Sequence, residues 1–573
     1  MPPVDAHASD ESHDDAATPA HSAHAPSTHF ASFFTVGIGL LAILLLSARI
    51  RYGVEVLDES YYAAGSYRFA LGLRPLLDDL GPHQFASYLV APLVWIWLRM
   101  RGNLDGVILA LRAVYLLGSV TTAAVAFIFL RKILDWRIAF VAAACSLGFV
   151  PSLIFAPNYN TIALACLSVS TSLAGIVLID DGPPWLLVLS GLAMGAAIIV
   201  YPTQAATILL AILLLGWLTR SWRLSLLAAL GAAIVISVFL VSIRGSLSGL
   251  TDFVTYNRAW IGAPSKLMVL AKGIVGATYL APATYVLAAI LAFRVLHRRV
   301  PWILTTVLPV AVLMAIHVSF SFNRTMNAAA LLLLSVLVAG LGPIGRRDRV
   351  ALGYVFSVAT CAGLLFAYTS TAGFTTFGVG AAAAAAAGMA VLLNNAHDAL
   401  SERFGSRHAL SATVAIGTAS IAIVLVLCWS SVAQDAHYPW QLSNPATGPY
   451  AGLLTSSETE SSLARMKSDL RATTSQGDRL FVYGSDPSTY LLSSASPVAP
   501  NVWFTGAETT QPVRAMFLVR WTDTTAHRPT VIVIDTADWN SRQQEPSNYL
   551  LAYFDRNYRT VLSRPGYVIL RAR

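Results

Sequence analysis

Two adjacent carboxylates, Asp58 and Glu59, stand in the stretch Leu57-Asp58-Glu59-Ser60-Tyr61-Tyr62, directly after the first long apolar segment. A carboxylate held at a membrane boundary can serve as a general base, taking the proton of a hydroxyl as its oxygen attacks carbon. The same pair can also be an ordinary acidic helix start, since the N-terminal end of a helix favours negative charge. Behind it come Tyr67, Arg68, Asp78, Asp79 and His83, and then a half-apolar segment to Arg101. The elements that must hold these residues are mostly apolar.

The chain has 573 residues, 56% hydrophobic and 12% charged. Soluble domains carry roughly 25% charged residues, so most of this chain is not dissolved in water. Apolar runs long enough to cross a ~30 Å hydrocarbon core recur from Ala31 to Ala433. The expected class is a polytopic α-helical membrane protein. A formal charge of +8 speaks for orientation and contact with anionic headgroups, not for nucleic acid. Cys145, Cys166, Cys361 and Cys428 all fall in apolar segments, so no disulfide framework or cysteine metal site is indicated. Residues 1–28, rich in His, Ala, Asp and Pro and without Lys or Arg, read as a disordered tail. Lacking a basic n-region, the N-terminus leads into an uncleaved first span.

Basic links recur at Arg131-Lys132, Arg220 with Arg223, His297-Arg298-Arg299, Arg346-Arg347-Asp348-Arg349, and Arg403 with Arg407. The positive-inside tendency places all five on the cytoplasmic side. Their signs agree down the chain if Phe85–Leu98 lies along the outer surface as an interfacial helix. About 13 spans follow: 31–49, 105–130, 138–156, 160–179, 184–200, 203–219, 223–243, 273–295, 301–319, 325–343, 350–369, 374–394 and 409–433. The alanine run at 381–387 leaves open a tilted or broken helix there. Residues 29–433 thus form a transmembrane domain whose first outer loop, 50–103, carries the carboxylate pair.

After Ala433 the composition changes. Leu480–Tyr483, Thr530–Ile534 and Tyr567–Leu570 read as buried strands, and Ser456–Ala472 as a helix with Leu463, Met466 and Leu470 on one face. Ser485-Asp486-Pro487 is a helix start. Residues 434–573 are expected to form a small α/β extracytoplasmic domain beside the first loop. Its Asp486, Asp535 and Asp538, with Trp503, Trp521 and Trp539, can be sugar contacts or a satisfied small core.

An Asp-Glu pair followed by tyrosines, a proline-punctuated loop, an interfacial helix and a span with an early arginine, Arg112, make a pattern. It resembles the GT-C superfamily of membrane glycosyltransferases, nearest to protein O-mannosyltransferases and lipid A aminoarabinose transferases. The resemblance implies Asp58 as general base, with Glu59 as its partner, either a second hydrogen-bond acceptor or a metal ligand. It places His83 near the donor phosphate, where the aminoarabinose transferases carry lysine. Arg324 matches a basic residue that binds phosphate in the family. Arg258, Lys266 and Lys272 are further phosphate candidates, or anchors that snorkel to the interface. The chain departs from the family at Pro157-Asn158-Tyr159-Asn160-Thr161, where many members carry an acid. Asn160 can hydrogen-bond a sugar hydroxyl, and Asn158 and Asn160 can equally be helix caps.

The implied activity is transfer of a sugar from a polyprenyl-phosphate carrier to an envelope glycan, lipid or protein at the outer face of a bacterial plasma membrane, with inversion. A divalent metal is left open, with Asp58 and Glu59 as its holders if one binds. A polyprenyl-linked glycan polymerase or ligase is the nearer alternative. A transporter or flippase would need ionisable residues within broken spans and repeated halves, whereas this chain concentrates charge in loops. A non-catalytic binding protein would leave Asp58, Asn160 and Arg324 dispersed. No P-loop, dinucleotide fingerprint or HExxH motif interrupts the chain.

Overall fold

A computed structural model of the chain describes residues 27–180, 182–261, 322–340, 345–370, 373–431, 438–504, 519–520, 527–536 and 549–573. Fourteen α-helices lie before residue 434 among them: α1 (Ser27–Arg49), α2 (Asp58–Ala70), α3 (Gln84–Arg101), α4 (Val107–Leu130), α5 (Trp136–Cys145), α6 (Tyr159–Asp180), α7 (Trp185–Val200), α8 (Ala205–Thr219), α9 (Trp222–Ile243), α10 (Leu250–Ile261), α11 (Phe322–Gly340), α12 (Arg346–Thr369), α13 (Phe377–Phe404) and α14 (Ser406–Ser430). Among the described residues seven helical segments are long and apolar enough to cross a membrane, and three shorter apolar helices accompany them. The chain is therefore a polytopic helical membrane protein. Two of the expected spans, 273–295 and 301–319, lie outside the described residues.

Two local expectations change. The single span expected over 138–156 ends as a helix at Cys145 and continues as two 3-10 turns, 146–148 and 151–153. Gly148 and Pro151 interrupt it, and Ser152 and Leu153 take positive φ. The alanine run, by contrast, lies within one continuous helix, α13. Lys132 pairs with Asp180 at 2.7 Å, so the end of α4 and the end of α6 share one end of the bundle.

Small residues decide how closely α7 and α9 approach. A Cβ on Gly191 would overlap the Ala228 carbonyl, and one on Gly231 would overlap that of Val188. Membrane helices gain their association from such backbone proximity, because lipid supplies no hydrophobic drive between them. Gly191→Val is expected to force the pair apart and lower the unfolding midpoint, and a thermal melt in detergent checks this.

In the C-terminal part β1 (Asn444–Pro445) pairs antiparallel with β2 (Leu454–Thr455), and a five-stranded sheet runs in the order β4-β3-β5-β7-β6, with β3 (Arg479–Tyr483), β4 (Ser496–Pro497), β5 (Val531–Asp535), β6 (Tyr558–Arg564) and β7 (Tyr567–Ala572). Strand β3 is parallel to β4 and β5, while β7 is antiparallel to β5 and β6. Leu480 stands beside Val531 and Phe481 beside Ile532, all four fully buried. The polar edge strand β6 escaped the sequence reading because its exposed Arg559, Thr560 and Arg564 break the apolar pattern. Ser456 caps the expected helix, here Ser457–Thr473.

This C-terminal part is stitched to residues 50–103. Gly53 N–H donates to Leu454 O at 2.9 Å, Leu454 N–H to Arg51 O at 2.7 Å, and Leu80 N–H to Pro500 O at 2.6 Å. Buried Arg68 pairs with Asp79 at 2.7 Å and donates to the Ala499 carbonyl. The expected loop is thus largely helical and packed, with α2 buried along most of its length. Helix α3 keeps Trp95, Ile96 and Met100 exposed.

Candidate functional site

Asp58 opens α2, and Leu57 before it offers no side-chain cap. The free N–H groups of that first turn must find acceptors, and they find them upstream. The Glu55 carboxylate accepts from Leu57 N–H at 2.8 Å and from Glu59 N–H. The Ser60 hydroxyl donates back to the Glu55 carbonyl at 2.7 Å. Burial pushes the Glu55 carboxyl up to about 8, against its two backbone donors and with the charges of Asp58 and Glu59 adding to the rise. A carboxyl whose pKa is raised by folding contributes its stability below the unfolded value of ~4.3, and loses it as pH rises through about 8. Wild-type thermal stability is therefore expected to fall between about pH 4 and pH 8, and Glu55→Gln to flatten that fall; melts across this range check it.

Glu59 faces a different partner. Arg112, in the first turns of α4, grips it with both arms of its guanidinium, Nε to Oε1 at 2.7 Å and Nη2 to Oε2 at 2.6 Å. The same guanidinium donates to Ile50 O at 2.7 Å and Gly53 O at 2.8 Å. Both side chains are almost fully buried. Glu59, expected as a second acceptor beside Asp58 or a metal ligand, thus has both oxygens on Arg112. Among the described residues no group of three His, Cys, Asp or Glu side chains is placed to hold a metal ion.

Asp58 itself is half-buried. Burial raises its carboxyl above the usual range, and it lies within electrostatic reach of Glu55, Tyr62 and Tyr159. Those tyrosines belong to an aromatic group drawn from four parts of the chain. The His83 ring stacks on Tyr159 with centroids 4.0 Å apart and planes 5° from parallel. Tyr159 in turn stands 6.0 Å from Tyr62 and 5.5 Å from Tyr201, while Tyr61 reaches Trp503 of the C-terminal part at 5.8 Å. Burial pushes the His83 imidazole down to about 4. It is neutral at pH 7 and can offer a phosphate an N–H, but no charge.

The two asparagines divide the roles left open for them. Asn158 Oδ1 accepts from Asn160 N–H at 2.8 Å and Thr161 N–H at 3.0 Å, so Asn158 caps α6. The buried Asn160 Oδ1 has no partner among the described residues. Asp78 and Asp79 serve structure: Arg68 donates to the Asp78 carbonyl at 2.6 Å and pairs with the Asp79 carboxylate. Asp486 accepts from Ser488 N–H at 3.0 Å as a helix cap. Helices α10 and α11 carry Arg258 and Arg324, whose side chains lie outside the described residues, as do Lys266, Lys272, Trp521, Asp538 and Trp539.

Tyr159 links the three: His83 stacks on its ring, Asn160 follows it in the chain, and Asp58 lies within its electrostatic reach. Glu55, Tyr62, Tyr159 and Tyr201 were not foreseen, whereas Trp503 was among the possible sugar contacts. Glu55 sits between two valines with no motif around it, and the tyrosines are far apart in sequence.

Comparison with protein-family models and with curated protein sequences finds no match. Among solved structures, ArnT from Cupriavidus metallidurans bound to undecaprenyl phosphate aligns at TM-score 0.53 and 14% identity, over 95% of this chain and 98% of its own. The apo form of that protein aligns at TM-score 0.51 over the same shares. An oligosaccharyltransferase from Archaeoglobus fulgidus, in complex with Zn and sulfate, stands at TM-score 0.43 and 12% identity, over 93% of this chain and 73% of its own. The likeness to ArnT is one of fold. The chain shares the fold of that membrane protein.

Proposed function

We propose that this chain is an integral-membrane glycosyltransferase, moving a sugar from a polyprenyl-phosphate carrier to an acceptor hydroxyl at the outer face of a bacterial plasma membrane. The observation that carries the reading is the division of labour between neighbouring carboxylates. Glu59 is spent on Arg112, while Asp58 stays half-exposed at the rim of an aromatic group. That arrangement stands in a fold shared with ArnT, whose structure contains undecaprenyl phosphate.

In this reading an Asp58 oxygen takes the acceptor's hydroxyl proton as the acceptor oxygen attacks the anomeric carbon. The bond from that carbon to the carrier's phosphate oxygen breaks, and the phosphate leaves with the electron pair. One displacement inverts the anomeric centre. Asn160 Oδ1 accepts from a sugar hydroxyl, and the aromatic faces exclude water. Neutral His83 donates an N–H toward the carrier phosphate, whose charge falls to Arg258, Lys266 or Arg324. The acceptor is an envelope glycan, lipid or protein.

The experiment is the anomeric configuration of the product, read by NMR on the purified transfer product. Inversion is expected, and retention would overturn single displacement with Asp58 as base. Because a base works only when ionised, activity is expected to fall as pH drops through the raised Asp58 value. The acid limb of the rate profile should therefore lie above the ~3.9 of a free aspartate.

A further inference from the structure

The C-terminal part reaches the start of α2 through one short turn. Gly448–Tyr450 form a 3-10 turn, with Gly448 at a φ of 64° that favours glycine. Gly106, directly before α4, donates its N–H to Gly448 O at 2.9 Å, and Leu454 just beyond the turn exchanges bonds with Arg51 and Gly53. From this turn the fully buried Tyr450 brings its hydroxyl to 2.5 Å from Ser60 Oγ. A serine hydroxyl has one hydrogen, and Ser60 gives its own to Glu55 O at 2.7 Å. Tyr450 is therefore the donor. Burial pushes its hydroxyl well above the ordinary tyrosine value, so the proton stays in place.

Other buried tyrosines of the C-terminal part find partners within it. Tyr558 donates to Pro529 O at 2.7 Å, and Tyr490 accepts from Val482 N–H at 2.9 Å. Tyr450 instead reaches out to a side chain two residues from Asp58. Residues 53–57, before the helix, form neither helix nor strand, so the first turn of α2 leans on side-chain ties. It is held at Leu57 and Glu59 by the Glu55 carboxylate, at the Glu59 side chain by Arg112, and at Ser60 by Glu55 O and Tyr450. Among these ties the Tyr450 bond alone comes from the C-terminal part. Asp58 stands half-buried between the tied residues, and its place is set by the turn that carries it. A base works only within ~2.6–3.2 Å of the proton it takes, and a misplacement of ~1 Å can cost about 10²-fold.

We propose that Tyr450 is a positioning residue for the transfer: acting through Ser60, it fixes the first turn of α2 and with it the Asp58 carboxylate. The inference rests on the transferase reading with Asp58 as base, and gives the C-terminal part a role in the chemistry. The bond suits this work because the turn that presents Tyr450 is anchored independently of it. Gly106, Arg51 and Gly53 hold that turn by backbone bonds to Gly448 and Leu454, and the Tyr450 ring is fully buried. Taking away the hydroxyl alone therefore leaves the C-terminal part docked and loosens Ser60.

The test uses the full-length protein in detergent, as Tyr450→Phe, Ser60→Ala and the double variant, each shown to be folded by a melt. Turnover is followed with the sugar-loaded undecaprenyl phosphate that the wild type discharges, and binding with undecaprenyl phosphate itself. Expected for Tyr450→Phe is a kcat lower by about tenfold, with KM and undecaprenyl phosphate affinity within about twofold of wild type. The double variant should turn over no more slowly than Ser60→Ala, because both changes break the same tie. Should Tyr450→Phe not fold, Ser60→Ala breaks the tie from its other side and carries the comparison. An unchanged kcat in folded Tyr450→Phe would overturn the positioning role and leave the transferase reading standing. A matching loss of kcat and undecaprenyl phosphate affinity would also overturn it, as the mark of a general loosening. So would losses that multiply in the double variant, since Tyr450 would then act apart from Ser60. A wild type that discharges no sugar-loaded carrier would instead remove the transferase reading, and this inference with it.

Discussion

Asp58→Asn is expected to lower sugar transfer by about 10²–10⁴-fold, the contribution typical of a positioned general base. The substitution keeps the side chain's size and one hydrogen-bonding oxygen, and removes the ability to accept the acceptor's proton. It also removes a half-buried charge, so the variant's unfolding midpoint should stay at or slightly above that of wild type. A single-turnover assay beside a melt separates the two effects. The expected signature is folded protein with lost chemistry and little change in carrier binding. Near-normal turnover in folded Asp58→Asn would sink the assignment of the base, whatever the fold.

Arg112→Met is expected to act the other way, on stability first. The Glu59–Arg112 pair is almost wholly buried, and the guanidinium also satisfies the carbonyls of Ile50 and Gly53. Breaking a buried pair from one side leaves an uncompensated charge and costs about 3–5 kcal/mol. Removing both charges in Arg112→Met with Glu59→Leu should recover a large share of that loss, since an apolar pair needs no partner. Arg112→Lys should fall between them, because an ammonium cannot fork across both carboxylate oxygens. A chemical-denaturation series on the single and double variants reads this directly. A double variant no better than Arg112→Met would place the loss in the backbone carbonyls instead of in Glu59.

These two experiments treat adjacent residues as doing different work, and the reason explains what could be read from the sequence. Hydropathy marks helices such as α4, α6 and α12 because lipid demands apolar side chains around each turn. Alternating burial in β3, β5 and β7 likewise leaves a short apolar run. The break after Cys145 was missed because Gly148 and Pro151 sit in a run that stays apolar throughout, and hydropathy does not register backbone geometry. At the site, the Asp58-Glu59 pair was visible as local charge. Its division was not, since Arg112 lies 53 residues from Glu59 and only packing brings them together. Glu55 was silent for the same reason: capping by a residue three positions upstream of the helix start depends on a turn that no motif announces. Trp503 and Tyr201 join the aromatic group only through tertiary contact. The Asn158 cap, by contrast, was among the readings open from sequence, because an asparagine before a helix has a local reason to be there.

The central claim is that a polyprenyl-phosphate-linked sugar is the donor. Its most direct measurement is release of polyprenyl phosphate when purified wild-type protein is incubated with a panel of sugar-loaded carriers and an envelope extract as acceptor. The account predicts that at least one carrier is discharged in step with labelling of the acceptor. It also predicts that Asp58→Asn fails to discharge that same carrier. Labelling of the acceptor from a soluble nucleotide sugar with no carrier consumed would contradict it.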